Sequence, residues 1–227
     1  MRNSHFQNAN DNTKLVSQPF FSIIIATYNR GKLLKKALDS LIFQTEKNWQ
    51  AIIVDDESTD DTYSQILPYL KSYPDIRYLK KAHSGEAMSK NAGIYVAAGR
   101  FITFLDSDDE YKPQHLESRK TLLMQNPSVR FLYGSAKIIG NQFVPDRFNP
   151  EKKINLNDCV IGGTFFIERN VLFQLRGFKK IVLGTDADFF DRALKAGITM
   201  KETKFPTYIY HHETEDSVTN NLYSYQM

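Results

Sequence analysis

Three carboxylates, Asp106, Asp108 and Asp109, follow directly on the apolar run Phe101-Ile102-Thr103-Phe104-Leu105. The run reads as a short buried strand, and open α/β sheets bind their ligands at the carboxyl ends of strands. Asp106 and Asp108 are two residues apart, so on an extended backbone they face the same side. Two like charges facing one space repel unless a cation or hydrogen-bond donors compensate them. Oxygen ligands of this kind suit Mg²⁺ or Mn²⁺ shared with substrate phosphates. The competing reading is a solvated acidic turn that closes a strand, and an isolated D-x-D does not decide between the two. Two further apolar runs also end in polar groups: Phe20–Ala26 in Thr27-Tyr28-Asn29, and Ala51–Val54 in Asp55-Asp56. In a doubly wound sheet these ends share one edge and line one crevice. A carboxylate there can accept the N–H of a base or the hydroxyls of a ribose, and Tyr28 can stack on a base. Taken singly, Thr27-Tyr28 can equally be a turn, and Asp55-Asp56 a lead-in that favours a helix N-terminus.

The elements that must position these groups alternate along the chain. After the continuous run at 20–26, which suits a central parallel strand, apolar residues recur at Leu33, Leu34, Ala37, Leu38, Leu41 and Ile42, a helical stripe. The second strand leads to a helix capped by Ser58 or Asp60, with Tyr63, Ile66, Leu67 and Leu70 as its buried face, broken at Pro74. Ile76–Leu79 is a third strand. The loop His83-Ser84-Gly85-Glu86 feeds a helix over 87–98 closed by Gly99. Beyond the acidic strand, Pro113 opens a helix to about Gln125, and Val129–Ile139 is a fifth strand. Residues 140–158 read as a polar loop. Gly162–Ile167 is a turn into a strand, a helix covers 170–175, and Thr185-Asp186 starts a helix with Phe189, Phe190, Ala193 and Leu194 on one face. A strand at Thr207–Tyr210 runs into His211-His212. The alternation predicts an α/β fold with a mainly parallel sheet flanked by helices. Residues 1–18, polar and Asn-rich, read as a disordered arm, and 19–227 as one domain.

The bulk numbers exclude several classes. A formal net charge of +3 on 227 residues, without a Lys/Arg block, gives no footprint for nucleic acid. One cysteine, Cys159, cannot form an intramolecular disulfide and points to a reducing compartment. The first 18 residues lack the apolar segment of a signal peptide, and no run reaches bilayer length. The expectation is a cytoplasmic protein.

Four segments, SIIIATYNR, AIIVDDESTDDT, HSGEAMSKNAGIYVAAGRFITFLDSDD and GTDADFFDRALKAG, resemble in order and spacing the family 2 inverting glycosyltransferases. The resemblance covers residues 20–213. It implies the GT-A fold, with a nucleotide-sugar half (19–110) and an acceptor half (111–227). It implies a metal-dependent transfer from a nucleotide-diphosphate sugar, with Mn²⁺ or Mg²⁺, in cell-surface polysaccharide or glycan synthesis. Carried over by position, Thr27, Tyr28, Asn29, Asp55 and Asp56 would hold the nucleotide, with uracil as the base. His83, Gly85, Lys90 and Asn91 lie in the segment that closes over it. Asp106 and Ser107 fall near ribose and metal, and Asp108 on the metal at the diphosphate. Asp186 aligns with the catalytic base, although a simple N-terminal cap is its other reading. The His211/His212 pair sits where a histidine near the metal is often found, and His212 is taken as the ligand. The partners implied are the donor and a glycan, lipid-linked or protein acceptor. Peripheral association with the inner face of the membrane, or a partner subunit, could complete the acceptor side.

Two departures stand out. Members commonly carry Glu-Asp where this chain has Thr185-Asp186, and an Arg where it has Lys90, which keeps the charge but not the bidentate fork. The first leaves open a nucleotide-sugar-binding module without turnover. A sugar nucleotidyltransferase also joins carboxylates to an α/β sheet, but Thr27-Tyr28-Asn29-Arg30-Gly31 is a poor phosphate loop. An NAD enzyme is excluded by the absence of G-x-G-x-x-G after the first strand.

Overall fold

A computed structural model describes residues 18–213. The expected arm at 1–17 and the C-terminal residues from 214 lie outside the described part. The elements run β1 (Phe21–Thr27), α1 (Gly31–Ile42), β2 (Trp49–Asp55), α2 (Thr62–Ser72), β3 (Ile76–Lys80), α3 (Glu86–Val96) and β4 (Phe101–Phe104). They continue as β5 (Glu110–Tyr111), α4 (His115–Gln125), β6 (Phe131–Gly140), β7 (Phe143–Pro145), β8 (Lys153–Asn155), β9 (Phe166–Glu168), α5 (Arg169–Gln174), α6 (Thr185–Lys195) and β10 (Met200–His212). Eight strands form one sheet in the order β3-β2-β1-β4-β9-β6-β10-β5, and β7 and β8 pair separately. The β3-β2-β1-β4 part is parallel, β9 runs antiparallel to both neighbours, and β10 is parallel to β6.

Burial on both faces explains the unbroken apolar run of β1. Phe21, Ile23 and Ile25 point to the side covered by α1, α2 and α4, while Ile24 points to the side covered by α3, α5 and α6. Register then places the polar ends together. Thr27 lies opposite Asp55, and Ile24 opposite Phe104, so the residues after β1, β2 and β4 emerge at one edge.

Several local expectations are corrected. Gly99 does not close α3, which ends at Val96. It is the point where the chain crosses β1: its N–H donates to Ser22 Oγ (2.8 Å), and an added Cβ would lie 2.5 Å from the Ser22 nitrogen. Asp60 supports the start of α2 by accepting the Thr62 N–H, whereas Ser58 accepts the N–H of Asn29. Tyr63 is half exposed, and Thr62, Ile66 and Tyr69 form the buried face instead. The supposed polar loop at 140–158 contains the β7–β8 hairpin.

The last strand is thirteen residues long rather than four. Its register against β6 breaks between Thr203 and Tyr208, where five steps of β10 pass two of β6. Pro206 lies within the break and has no N–H to give to the ladder. The bulge is held by two buried side chains of α4. Arg119 Nη2 donates to Phe205 O (2.7 Å), and His115 Nδ1 lies 2.8 Å from Thr207 Oγ1. The bulge therefore re-aims Tyr208–His212 towards the functional edge, a common use of such irregularities.

Gly99→Ala should lower stability by roughly 1–3 kcal/mol through overpacking, read as a fall in the urea midpoint. An unchanged midpoint would show that β1 can move away from the crossing.

Candidate active site

The residues after β1, β2 and β4 line a cavity of about 960 Å³ that extends to the start of α6 and the β7–β8 hairpin. Thr27, Tyr28, Asn29, Asp56, His83, Gly85, Asp106, Ser107, Asp108 and Asp186 all reach its wall. Ten of the expected residues, from five separate segments, thus line one space.

At one end Asp56 is almost fully buried and tied from several directions. It accepts the Gly85 N–H (2.7 Å), the Ser84 N–H (3.0 Å) and Lys81 Nζ (2.5 Å). Burial pushes its pKa up, but the bonds from Lys81, Gly85, Ser84 and Ser89 outweigh that and hold it below the ordinary aspartate value. The carboxylate is therefore ionised and fixed, and it pins the 82–85 loop to β2. Gly85 has φ of +95°, a conformation that favours glycine, and its N–H faces Asp56 at the start of α3. The Thr27 hydroxyl is buried and has no hydrogen-bond partner among the described residues. Tyr28 is 44% exposed and its ring lies 4.6 Å from that of His83. Asn29, at φ of +52°, organises the facing loop: its Oδ1 accepts from the backbone nitrogens of Thr59 and Asp60.

In the middle, Asp106 and Asp108 do not sit on an extended strand, because β4 stops at Phe104 and a turn follows, closed by Asp109 N–H to Asp106 O (3.0 Å). They pair with different cations. Asp106 Oδ1 lies 3.2 Å from Lys90 Nζ, and Asp108 Oδ2 is 2.9 Å from Arg30 Nη1. Lys90 is buried behind the wall and also holds Glu86 (2.6 Å). Burial lowers its pKa, but Asp106, Glu86 and Asp186 raise it further, so the ammonium is retained. The same surplus of carboxylates acts the other way on Asp106. Burial pushes its pKa up to about 6; Lys90 lowers it, but Glu86, Asp108 and Asp186 add to the rise.

At the far end Asp186 lies in the first turn of α6, behind Gly184 in the left-handed conformation. Its recorded hydrogen bond comes from the Gly162 N–H (2.9 Å) in a neighbouring loop, not from its own helix. Burial raises its pKa, Lys90 lowers it, Glu86 raises it and the Gly162 N–H lowers it, leaving it above the ordinary value. Gly162 and Gly163 are needed by what they face. A Cβ on Gly162 would fall 2.5 Å from the Asp186 carboxylate oxygens, and one on Gly163 would collide with the Tyr208 ring.

Other expected residues stand elsewhere. Asp55 is behind the wall, accepting from Ser58 N–H (2.7 Å) and Tyr78 OH (2.5 Å). Asn91 clamps the backbone of Phe178 through both amide atoms, each at 2.8 Å. His212 is buried with Nδ1 on Asn141 O (2.6 Å), so the placement of this histidine at a metal is corrected: His211 reaches the cavity and pairs with Glu110 (2.7 Å). Strand alternation accounts for this, since successive side chains of β10 point to opposite faces. Arg30, Glu86 and the Gly162-Gly163 pair were missed as site residues. The double glycine was the readable signal, because such a pair marks close approach of other groups.

Among the described residues no three His, Cys, Asp or Glu side chains gather closely enough to hold a metal by themselves. The donor set still fits a hard divalent cation. One or two carboxylates with waters and substrate phosphates suffice for Mg²⁺, and Asp106 and Asp108 both line the cavity.

An α/β sheet with an ionised pocket at its strand ends, a pair of turn carboxylates and a third acid opposite them is the frame of a group-transferring enzyme. Residues 22–181 match the family described as Glycosyl transferase family 2, and the chain belongs to that family. Its fold is of the GT-A type. Among its relatives, the UDP-Glc:alpha-D-GlcNAc-diphosphoundecaprenol beta-1,3-glucosyltransferase WfgD of Escherichia coli is 33% identical over 157 residues, 66% of this chain and 61% of that protein. The uncharacterized glycosyltransferase YibD of Escherichia coli K12 is 36% identical over 105 residues, 46% of this chain and 30% of that protein. The chain thus spans about 60% of the first relative's length and less of the second's. The structure of S. aureus TarS residues 1–349 with UDP-GlcNAc superimposes with a TM-score of 0.73 at 21% identity, covering 87% of this chain and 60% of that one. The mannosyltransferase PcManGT of Pyrobaculum calidifontis, in complex with GDP-Man and Mn²⁺, gives 0.66 at 16% identity, covering 86% and 57%.

Gly162→Ala should displace the Asp186 carboxylate and lower turnover by about a hundredfold, since misplacement by about an ångström can cost that much. Nucleotide binding, measured by calorimetry, should be unchanged; equal loss of both would show that the cavity wall itself had collapsed.

Proposed function

We propose that this chain catalyses inverting transfer of a sugar from a UDP-sugar to an acceptor hydroxyl, in the synthesis of a cell-surface polysaccharide or glycan. The observation that carries the reading is that Asp186 faces the Asp106–Asp108 turn across the same cavity whose other end holds Thr27 and Asp56. The fixed, ionised Asp56 and the unpartnered Thr27 hydroxyl offer an acceptor and a donor or acceptor to the edge of uracil. Tyr28 supplies an exposed ring for the base. Asp108 and Asp106 would hold Mn²⁺ or Mg²⁺ together with the donor's diphosphate, as the GDP-Man and Mn²⁺ of the PcManGT complex suggest. The ion, when bound, neutralises charge on the departing nucleoside diphosphate. Among the chain's own groups, Lys90 keeps Asp106 in place, and Asp186 takes the proton of the acceptor hydroxyl from the face opposite the leaving group. The acceptor is a glycan, a lipid-linked sugar or a protein; WfgD is named for a diphosphoundecaprenol-linked one.

Calorimetric titration with UDP, GDP and dTDP, each with Mn²⁺ and with chelator, is the direct test. UDP should bind in a metal-dependent manner and the Asp108→Ala variant should lose that dependence. Binding of none of the three nucleotides would sink the donor-site assignment. Asp186→Asn should retain UDP binding but lose transfer by about 10²–10⁴-fold, the range for a general base. UDP binding without transfer in the wild type would instead support a binding module.

The base must be ionised to act, so the rate should fall as pH drops through the Asp186 pKa, which burial holds above the ordinary 3.8. Lys90 lowers that pKa, so Lys90→Gln should move the acidic limb of the kcat/KM profile to higher pH. An unmoved limb would mean that another group sets it.

A further inference from the structure

The acceptor end of the cavity opens between two loop tips of unusual composition. One is the turn of the β7–β8 hairpin, where Phe148 is 82% exposed; the other is the segment before α6, where Val182 is 74% exposed and Ile181 40%. The two tips meet. Phe148, Val182 and Leu183 line the same cavity, and a Cβ on Gly184 would lie 2.9 Å from Arg147 Cδ. Apart from the Arg147 guanidinium over the Phe148 ring, these large apolar side chains remain mostly in solvent, an energetic cost that a partner phase would remove.

Each tip also carries cations. Arg147, Lys152 and Lys153 stand beside Phe148 against Asp146 and Glu151, and Lys179 and Lys180 immediately precede Ile181-Val182. All four lysines are exposed. Lys179 spends part of its charge on Asp188 (3.2 Å), and Arg147 pairs with Asp191 (2.6 Å) while stacking on Phe148. The remaining balance at the tips is positive. Apolar residues that can enter the acyl boundary, ringed by lysines whose stems reach the headgroups, form an interfacial anchor for an anionic bilayer.

We propose that the Phe148 and Ile181-Val182 tips dock on an anionic membrane surface, so that the cavity mouth faces the bilayer and receives an acceptor whose reactive hydroxyl is carried on a lipid anchor. The choice of acceptor rests on the transferase reading; the docking does not. Asp186, four residues beyond Val182, lines the same cavity.

The test is vesicle co-sedimentation of the full chain without nucleotide, using phosphatidylcholine alone and an equal mixture of phosphatidylcholine and phosphatidylglycerol. The expected result is binding to the mixture, weakened by salt, and little to phosphatidylcholine. Lys179→Gln/Lys180→Gln should weaken it by about thirtyfold, the worth of two lysines at such a surface. Phe148→Ser/Val182→Ser should abolish it, with an unchanged thermal midpoint as the fold control, because both side chains are mostly in solvent. Absence of binding, equal binding to both vesicles, or binding indifferent to Phe148→Ser/Val182→Ser would overturn the proposal. Sedimentation velocity on the same proteins covers a second copy as occupant: a concentration-dependent dimer lost in Phe148→Ser/Val182→Ser would assign the tips to self-association instead. UDP titration in solution is independent of all these outcomes, so failure of the anchor and failure of the donor site are told apart.

Discussion

One buried carboxylate joins the turn after β4 to β10. Asp109 is 1% exposed, accepts the Tyr208 hydroxyl at 2.6 Å and accepts the His211 N–H at 2.7 Å. Tyr208 in turn receives the Asp106 N–H at 3.3 Å, and its ring stands against Gly163. The turn that carries Asp106 and Asp108 is thereby fastened to β10, and β10 to the loop whose Gly162 holds Asp186. Burial pushes the Asp109 pKa up, with Asp106 and Asp108 adding to the rise, and the bonds from Tyr208 and His211 only partly offset it. A buried acid with these donors is high in cost if any partner is lost. The same bonds link the Asp106–Asp108 turn to β10, and a change in their relative position would break one of them.

The rest of the centre shows the same trade between stability and use. Glu86, Asp106, Asp108 and Asp186 crowd around Lys90 and Arg30, and the raised pKa of Asp106 records that its charged form is less comfortable here than in water. A fold selected only for stability would replace one of these acids with a neutral group. Keeping them makes sense where a cation and a diphosphate enter together, since the ligand then completes a site that the empty protein leaves unbalanced.

The strand ends were legible because their cause is local. An apolar run buried on both faces must stop where polarity begins, and parallel register brings Thr27, Asp55 and the residues after Phe104 to one edge. What the residues alone left open was direction. Asp55 and Asp56 are neighbours on a strand end, and only the fold shows that Tyr78 claims the first while the 82–85 loop leaves the second facing the cavity. His211 and His212 differ in the same way, with alternation sending them to opposite faces. Asn91 was out of reach for a different reason: its partner, Phe178, lies 87 residues away. The β10 bulge depends on Arg119 and His115, which contact it from a helix that gives no local hint of the task.

The two ends of the cavity are built from different materials, and this bears on how a reaction there could be ordered. The end at Thr27 and Asp56 rests on β1, β2 and the Asp56-pinned loop, all tied to the parallel sheet. The far end rests on a hairpin of two three-residue strands outside the main sheet and on the segment before α6, which meet through Arg147 and Gly184. Loops that carry few buried apolar contacts lie at the low end of local stability. In the proposed reaction the donor would meet a wall that is already in place, whereas the acceptor would meet one that a second surface can still adjust. If the Phe148 and Val182 tips rest on a bilayer, the surface that orders the acceptor end is the same one that delivers the acceptor, and the mouth closes over Asp186 only where an acceptor is at hand.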